Sequence, residues 1–303
     1  MKILITGSKG LIGAALKHAL QFNGIEVAGI DFQFDPFHPE YGDILDLSSL
    51  ASALENTQGI VHLAAISRVV LGESNPDLCL ETNVEGTRNV IQTALSSSQK
   101  PWVLFASSRE VYGQQKSLPV TESAPLQAVN TYGESKIEGE KIVEEAKDKG
   151  LNTAIVRFSN VYGSIFDHPD RVVPAFCRAA AEGSAFTVDG EQNIFDFTYL
   201  EDVVQGILSL IRLLLLGASL PPIHLATGCP SSLGQLAQIA KKASLHSIDI
   251  KHGTSRSSTV NTFWGDPTRA KNILNWKACV GIEEGMHRLI QQYALFGSLC
   301  HAF

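Results

Sequence analysis

The sequence predicts an α/β fold, a doubly wound parallel sheet followed by a smaller C-terminal lobe, and three observations carry that prediction. Short apolar, β-branched runs recur through the first half of the chain, stretches long enough for helices separate them, and a loop spaced by Gly7, Gly10 and Gly13 directly follows the first run. Strand-like and helix-like segments in alternation mark parallel sheets, because each parallel strand needs a crossover of helical length.

The elements follow in order. Lys2 to Thr6 reads as the first strand, and the apolar positions after the glycines read as a helix through Phe22. Glu26 to Ile30 is the second strand, and further strands are expected at Gly59 to Leu63, Trp102 to Ala106 and Thr153 to Phe158. Between them, Pro76 to Ser97 and Thr131 to Asp148 are expected as helices. Past Arg157 the pattern is less regular: Pro174 to Glu182 reads as helix, Ala185 to Asp196 as strand and Leu233 to Ala243 as helix. The apolar stretch Ile207 to Leu216 contains Arg212 and is too short to span a bilayer, so a buried helix is expected there. Residues 1–165 are thus expected to form a dinucleotide-binding domain, and residues 166–303 mainly a substrate lobe, with some segments returning to the first domain.

Composition narrows the class. A chain of 303 residues with 44% hydrophobic content can bury a sizeable core, and a net charge of −7 argues against a general nucleic-acid or anionic-membrane surface. Cys79, Cys177, Cys229, Cys279 and Cys300 are scattered without Cys-x-x-Cys or ligand spacing. They read as reduced thiols, and no metal site is expected. No secretory signal is apparent, so a cytoplasmic location is expected.

A strand, a glycine loop and a helix in this order place backbone N–H groups and a helix N-terminus where a pyrophosphate can sit. The spacing Gly-x-x-Gly-x-x-Gly at Gly7, Gly10 and Gly13 is one residue off the general dinucleotide fingerprint, and its position after a strand gives it weight. Asp31 closes the second strand about twenty residues on, where a carboxylate accepts from the adenosine ribose hydroxyls and repels a 2′-phosphate. That favours NAD over NADP. Lys9, inside the loop, points weakly the other way.

Tyr132 and Lys136 stand four residues apart in Thr131-Tyr132-Gly133-Glu134-Ser135-Lys136 and share one face if the segment is helical. A free phenol has a pKa of ~10, and a base near neutrality needs about 4 kcal/mol from its surroundings. Lys136 together with an oxidised nicotinamide ring is expected to supply it. Ser108, just past the strand Trp102 to Ala106, lies at the sheet edge where ligands collect, and its hydroxyl can hold the oxygen that Tyr132 deprotonates.

With these motifs the chain resembles the extended short-chain dehydrogenase/reductase family, and within it the NAD-dependent nucleotide-sugar epimerases and dehydratases. The resemblance runs through Thr6 to Gly13, Gly42-Asp43-Ile44, His62-Leu63-Ala64-Ala65, Thr82 to Thr87, Ser107 to Gly113, Tyr132 to Lys136 and Arg157 to Gly163. It implies a Rossmann-type fold. It also implies that Gly7, Gly10, Leu11, Ile12, Gly13 and Asp31 hold NAD, that Asp43 and Ile44 flank its adenine, and that Leu63, Ala64 and Ala65 line it. Asn83 would support the cofactor-side backbone, with Ser159, Tyr132 and Lys136 also on the cofactor. Ser108, Glu110, Tyr132, Asn160 and Arg256 would meet the substrate, although Arg256 reads equally as a surface cation. His62 and Trp276 are expected to be structural.

Two departures bear on the reaction. The resembling dehydratases use an adjacent Asp-Glu pair as acid and base across C5 and C6, whereas here Arg109 precedes Glu110. A guanidinium is no proton donor at ordinary pH, so dehydration is disfavoured. Many relatives also carry an arginine before the Asp-Phe pair, where this chain has Phe195, and Arg171, Arg178 and His168 are the nearby cations that would replace that diphosphate contact. The expectation is an NAD-dependent epimerase of a nucleotide-diphosphate sugar, acting at C4 with Ser108, Tyr132 and Lys136 as catalytic residues. A decarboxylase, dehydratase or reductase of the same family is the alternative, and a non-catalytic dinucleotide sensor the alternative of another class. A homodimer is expected through Pro76 to Ser97 and Thr131 to Asp148, with Val90, Ala94, Ile137 and Ile142 at the contact.

Overall fold

The computed structural model describes residues 1–253 and 260–300. The first half runs β1 (Lys2–Thr6), α1 (Leu11–Phe22), β2 (Glu26–Ile30), α2 (Leu47–Ala53), β3 (Gly59–His62), α3 (Val69–Ser74), α4 (Pro76–Leu80), α5 (Gly86–Ser96), β4 (Trp102–Ser108), α6 (Thr131–Asp148) and β5 (Thr153–Phe158). It continues with β6 (Asn160–Tyr162), α7 (Val172–Glu182), β7 (Phe186–Asp189), β8 (Ile194–Tyr199), α8 (Leu200–Leu215), β9 (Ile223–Leu225), β10 (Pro230–Ser232), α9 (Leu233–Ala243), β11 (Ile250–Gly253), β12 (Thr262–Phe263), α10 (Thr268–Leu274) and α11 (Ile282–Cys300).

The main sheet has six parallel strands in the order β2-β1-β3-β4-β5-β9, reversing direction of winding between β1 and β3. Successive residues serve opposite faces. Ile3, Ile5, Val61 and Leu104 pack against α1, α8 and α10 through Leu16, Leu20, Val203 and Ile207. Leu4, Ile60, Val103 and Phe105 pack against α2, α5 and α6 through Leu50, Val90, Ala94 and Val143. Helices on both faces explain why β3 and β5 are buried throughout, with His62, Thr153 and Arg157 as the polar side chains in otherwise apolar strands. The doubly wound parallel sheet expected from the alternation is the fold observed.

A second core joins Phe176, Val188, Phe197, Leu236 and Met286 from α7, β7, β8, α9 and α11. The sheet β10-β8-β12, to which β6 adds beside β8, bridges towards the main sheet. Three local differences from the sequence reading have physical causes. Pro76 to Ser97 is not one helix: a π turn, Glu81–Glu85, separates α4 from α5. Ala185 to Asp196 divides into β7 and β8 at a turn where Gly190 takes φ +70° and Asn193 N donates to its carbonyl. Val90, Ala94 and Ile142 face the sheet and Ile137 packs inside a further cluster with Val111 and Phe263, so these side chains serve the chain's own core. Among the described residues no helix is long and apolar enough to cross a membrane.

Candidate active site

At the C-terminal end of β1 the chain turns through Gly7 at φ +74°, where a Cβ would lie 2.8 Å from Ala64 N. A Cβ on Gly13 would lie 2.1 Å from the Gly7 carbonyl oxygen, so the loop closes on the first turn of α1 only without side chains. Gly10 caps α1 without any side-chain hydrogen bond, which leaves the helix's first N–H groups for an anion. This loop opens a cavity of about 620 Å³ that runs past Asp31 and the ends of β3 and β4 to the segment Phe166 to Arg171.

Asp31 is buried at the rim. Its Oδ2 accepts from Lys9 N at 3.0 Å and its Oδ1 from Gln33 N at 2.9 Å, leaving lone pairs on both oxygens. The Lys9 ammonium donates to the Gln33 carbonyl at 2.7 Å and lies 5.2 Å from the centre of the Phe34 ring. Ile44, Leu63, Ala64 and Ala65 line the cavity. Asp43 is not among its lining residues; its Oδ1 accepts from Leu45 N at 2.9 Å and closes a turn. Asn83, presented by the π turn, stands behind the wall: Oδ1 accepts from Ile66 N at 2.8 Å, and Nδ2 donates to Ile66 O at 3.1 Å and to Ser135 Oγ at 2.9 Å. His62 bridges Thr6 and Thr87 at 2.7 and 2.9 Å, and burial pushes its pKa down to about 3, so it is a neutral internal strut.

The candidate reacting centre is built where β4 meets α6. Asn130 caps α6 by accepting from Gly133 N at 2.8 Å, and its Nδ2 donates to Glu110 Oε2 at 2.9 Å, tying the helix start to the segment after β4. Gly139, whose Cβ would meet Phe105 Cζ at 2.5 Å, lets α6 lie close on the sheet. Tyr132 and Lys136 therefore face the cavity one helical turn apart, beside Ser108, whose Oγ accepts from Glu110 N at 3.2 Å. Burial pushes the Tyr132 phenol up to about 12, with the Ser108 hydroxyl acting against it by hydrogen bonding and Glu110 acting with it. Burial likewise pushes Lys136 down to about 8, against the pull of Cys79 and Glu140. The sequence suggested a phenol acidified by Lys136; in the protein alone desolvation of Tyr132 is the largest influence and raises its pKa, outweighing the Ser108 hydrogen bond and Arg171 that lower it.

Beneath Lys136, one turn on, Glu140 receives Arg157 Nε at 2.8 Å and Nη2 at 2.6 Å, and Ser107 Oγ at 2.5 Å. Arg157 Nη1 also donates to Tyr112 Oη at 2.6 Å and Glu122 O at 2.9 Å. On the other wall, Arg109 Nη2 pairs with Glu110 Oε1 at 2.8 Å and its guanidinium lies 4.7 Å from the centre of the Phe195 ring. Ser159 Oγ and Asn160 Nδ2 both donate to Asp196 O, at 2.6 and 3.0 Å. Of the three cations considered as replacements for an arginine at position 195, Arg171 and His168 line the cavity and Arg178 does not. Arg171 pairs with Asp167 at 3.2 Å. Arg256 lies outside the described residues.

The profile of the NAD dependent epimerase/dehydratase family matches residues 3–216. The chain belongs to that family. Among curated relatives of this epimerase/dehydratase, the UDP-glucose 4-epimerase of Lactobacillus helveticus is 28% identical over 304 residues, covering 91% of this chain and 92% of the relative. UDP-glucuronic acid decarboxylase 5 of Arabidopsis thaliana is 28% identical over 314 residues, covering 97% and 90%. Among solved structures, UDP-glucose 4-epimerase of Thermotoga maritima with UDP-glucose superposes with a TM-score of 0.89 at 23% identity, covering 99% of this chain and 100% of the other, which shows a shared fold.

The glycine cradle and uncapped helix start fit the pyrophosphate of the family's NAD, and Asp31 fits its adenosine ribose. Sequence reasoning did not foresee two features of this epimerase/dehydratase. Arg68 pairs with Asp170 across loops that both border the cavity, and Asn130 links Glu110 to α6. Both lie in irregular segments that carry no periodic signal; only Asn130, three residues ahead of Gly133, whose N–H it accepts, has the composition of a cap.

Proposed function

We propose that the chain is an NAD-dependent epimerase of a nucleotide-diphosphate sugar that inverts C4 through a transient 4-keto sugar. One observation carries the reading: Ser108, Tyr132 and Lys136 come from two different elements to one wall of the cavity that begins at the glycine loop. The chemistry that bound NAD would supply is reversible acceptance of the C4 hydride. Ser108 Oγ holds the C4 oxygen, and Tyr132 Oη takes the proton from it and gives it back after the sugar has turned. Lys136 supplies a buried positive charge close to the phenol, which favours the anionic form that Tyr132 must adopt in mid-reaction. Gly7, Gly10, Leu11, Ile12, Gly13 and Asp31 hold the cofactor, with Ile44, Leu63, Ala64 and Ala65 along it; Asn83 and Ser159 position its walls.

A decarboxylase is the second reading, favoured by one observation: the Glu110 carboxylate lines the same cavity beside Ser108. Its Oε1 is held by Arg109 and its Oε2 by Asn130, an arrangement that suits a fixed acceptor more than a proton donor. A cytoplasmic homodimer belongs to the proposal. Its contact would use the outer faces of α5 and α6, where Gln92, Glu134, Glu138 and Lys141 are exposed. Incubation with UDP-, dTDP-, GDP- and CDP-hexoses and NAD, followed by NMR of the products, tests the function. C4 inversion is expected; a 4-keto-6-deoxy sugar or carbon dioxide as the main product would refute it.

A further inference from the structure

The two residues at which the sequence departs from the enzymes it resembles, Arg109 and Phe195, stack on each other in the structure. Arg109 opens the turn Arg109–Tyr112 that follows β4, directly after Ser108, and its side chain is 12% exposed. Its guanidinium lies 4.7 Å from the centre of the Phe195 ring of β8 and 5.6 Å from that of Phe263 of β12, and its Nε reaches Asn160 Oδ1 of β6 at 3.4 Å. Nη1 is buried without a hydrogen-bond partner, so the whole group is spent on the protein and leaves no edge for a ligand. Its remaining contact, Nη2 on Glu110 Oε1 at 2.8 Å, is therefore presented in a fixed plane. The other oxygen of Glu110 accepts from Asn130 Nδ2, an uncharged donor, so of the two side chains bonded to this carboxylate only Arg109 carries a compensating charge. Glu110 lines the cavity with Ser108 and Tyr132, and its anion acts to keep the proton on the Tyr132 phenol.

We propose that Arg109 is a positioning residue of this site: held on Phe195 and Phe263, it keeps the Glu110 carboxylate as a neutralised pair, so that this anion does not oppose the phenolate that Tyr132 forms in the reaction. The inference rests on the epimerase reading, in which Tyr132 is the base. A phenol that must lose and regain a proton is the group that an uncompensated carboxylate beside it disables. The other groups around the phenol are Ser108 at the end of β4, Arg171 ahead of α7, Cys79 of α4 and Lys136 of α6, with Glu73 of α3 accepting from Thr131 N at 2.8 Å. Ser108 and Arg171 favour the phenolate, and Glu110 and Cys79 oppose it. The two charges cancel at Tyr132 only while Arg109 stays on Glu110, and the rings of β8 and β12 are what hold it there.

The test uses the full-length protein with NAD. It follows kcat for C4 inversion against pH, and beside it the titration of the Tyr132 phenol, read from ultraviolet absorbance as the difference between each variant and the same variant carrying Tyr132→Phe. Arg109→Gln should move the limb on which Tyr132 loses its proton to higher pH by about half to one pH unit, because the Glu110 anion then acts on the phenol uncompensated. Adding Glu110→Gln should return the limb to the wild-type position or below it. Arg109→Lys, which keeps the charge, should stay near wild type, and Phe195→Leu, which loosens the guanidinium, should shift the limb in the same direction as Arg109→Gln by less. A shift that Glu110→Gln does not reverse, or a fall in kcat with the profile unmoved, assigns Arg109 to the fold alone and overturns the proposal. Should Arg109→Gln not fold, Phe195→Leu with and without Glu110→Gln gives the same comparison. Absence of C4 inversion in wild type refutes the epimerase reading, and the absorbance titration then still decides whether Arg109 shields Tyr132.

Discussion

Lys136 Nζ lies 5.9 Å from the centre of the Tyr132 ring and 5.0 Å from that of Phe105, on a side chain that is 3% exposed. An ammonium so placed is held at a cost in stability, and the sign of its pH dependence follows. The folded pKa is about 8 against an ordinary 10.5, so between those values the unfolded chain binds more protons at this residue. Stability contributed by the site therefore rises as pH climbs from about 8 to 10.5, and below 8 the full penalty for burying the cation is present. Lys136→Met, of similar length and uncharged, should be more stable than wild type at pH 7.5, with the gap closing by pH 10. Urea midpoints at the two pH values read this directly, and a variant less stable at pH 7.5 would contradict it. The same variant should bind NAD more weakly, since Lys136 lines the cavity.

Asp31 should set the choice of cofactor. Its carboxylate is oriented by Lys9 N and Gln33 N, while the Lys9 ammonium is occupied by the Gln33 carbonyl and the Phe34 ring. The cation that could have welcomed a 2′-phosphate is thus directed elsewhere. Wild type should bind NAD in preference to NADP, and Asp31→Ala should lose the discrimination in fluorescence titrations with both cofactors. Tighter binding of NADP by wild type would mean that Lys9 is released to serve it.

Much of this architecture is legible in the sequence because parallel strands buried on both faces leave apolar runs such as Trp102 to Ala106, and because α6 carries the i, i+4 pair of Tyr132 and Lys136. The π turn at Glu81–Glu85 was not legible: its five residues include no Gly or Pro to mark a break, and the contacts that accompany the widened turn are tertiary, Asn83 to Ile66 and Ser135. The pairing of α8 and β9 with the main sheet was likewise hidden, since an apolar stretch states that it is buried without stating against what. At the site, residue types were readable and their protonation was not. Spacing puts Lys136 beside Tyr132, but desolvation, which decides both pKa values, depends on every element packed around them.

The Arg157–Glu140 pair should be a stability determinant that also tunes Lys136. Arg157 is 4% exposed and makes four hydrogen bonds, two to Glu140, one to Tyr112 and one to the Glu122 carbonyl. Arg157→Met leaves a buried carboxylate without its cation and should cost about 3 kcal/mol or more in urea unfolding. Adding Glu140→Leu should recover much of that loss, because the uncompensated charge is gone. The double variant also removes a group that supports the Lys136 cation, so its activity should shift in pH profile compared with wild type. Additive losses in the two single variants would show that the pair is not coupled.

Tyr132→Phe is the substitution that separates chemistry from binding. It removes one hydroxyl and keeps the ring of a side chain that is buried, with its Cβ near Gly72 of α3, so fold and NAD affinity should survive. Turnover should fall by roughly 10²- to 10⁴-fold, the contribution of a positioned proton-transfer group. Ser108→Ala should lower the rate by roughly 10²- to 10³-fold, the cost of losing one oriented hydrogen bond in the transition state. Glu110→Gln then discriminates between the two readings of the reaction. The amide oxygen can still accept from Arg109, while its NH2 faces the Asn130 Nδ2 donor, so one hydrogen bond of this wall is lost and the other kept, and an epimerase that relies on Tyr132 should still retain much of its activity. A chemistry that needs a carboxylate beside C5 should lose it. Rates measured on one sugar for all three variants give an ordering, with Tyr132→Phe slowest and Glu110→Gln nearest to wild type; finding Glu110→Gln as impaired as Tyr132→Phe would move the assignment from epimerase to decarboxylase.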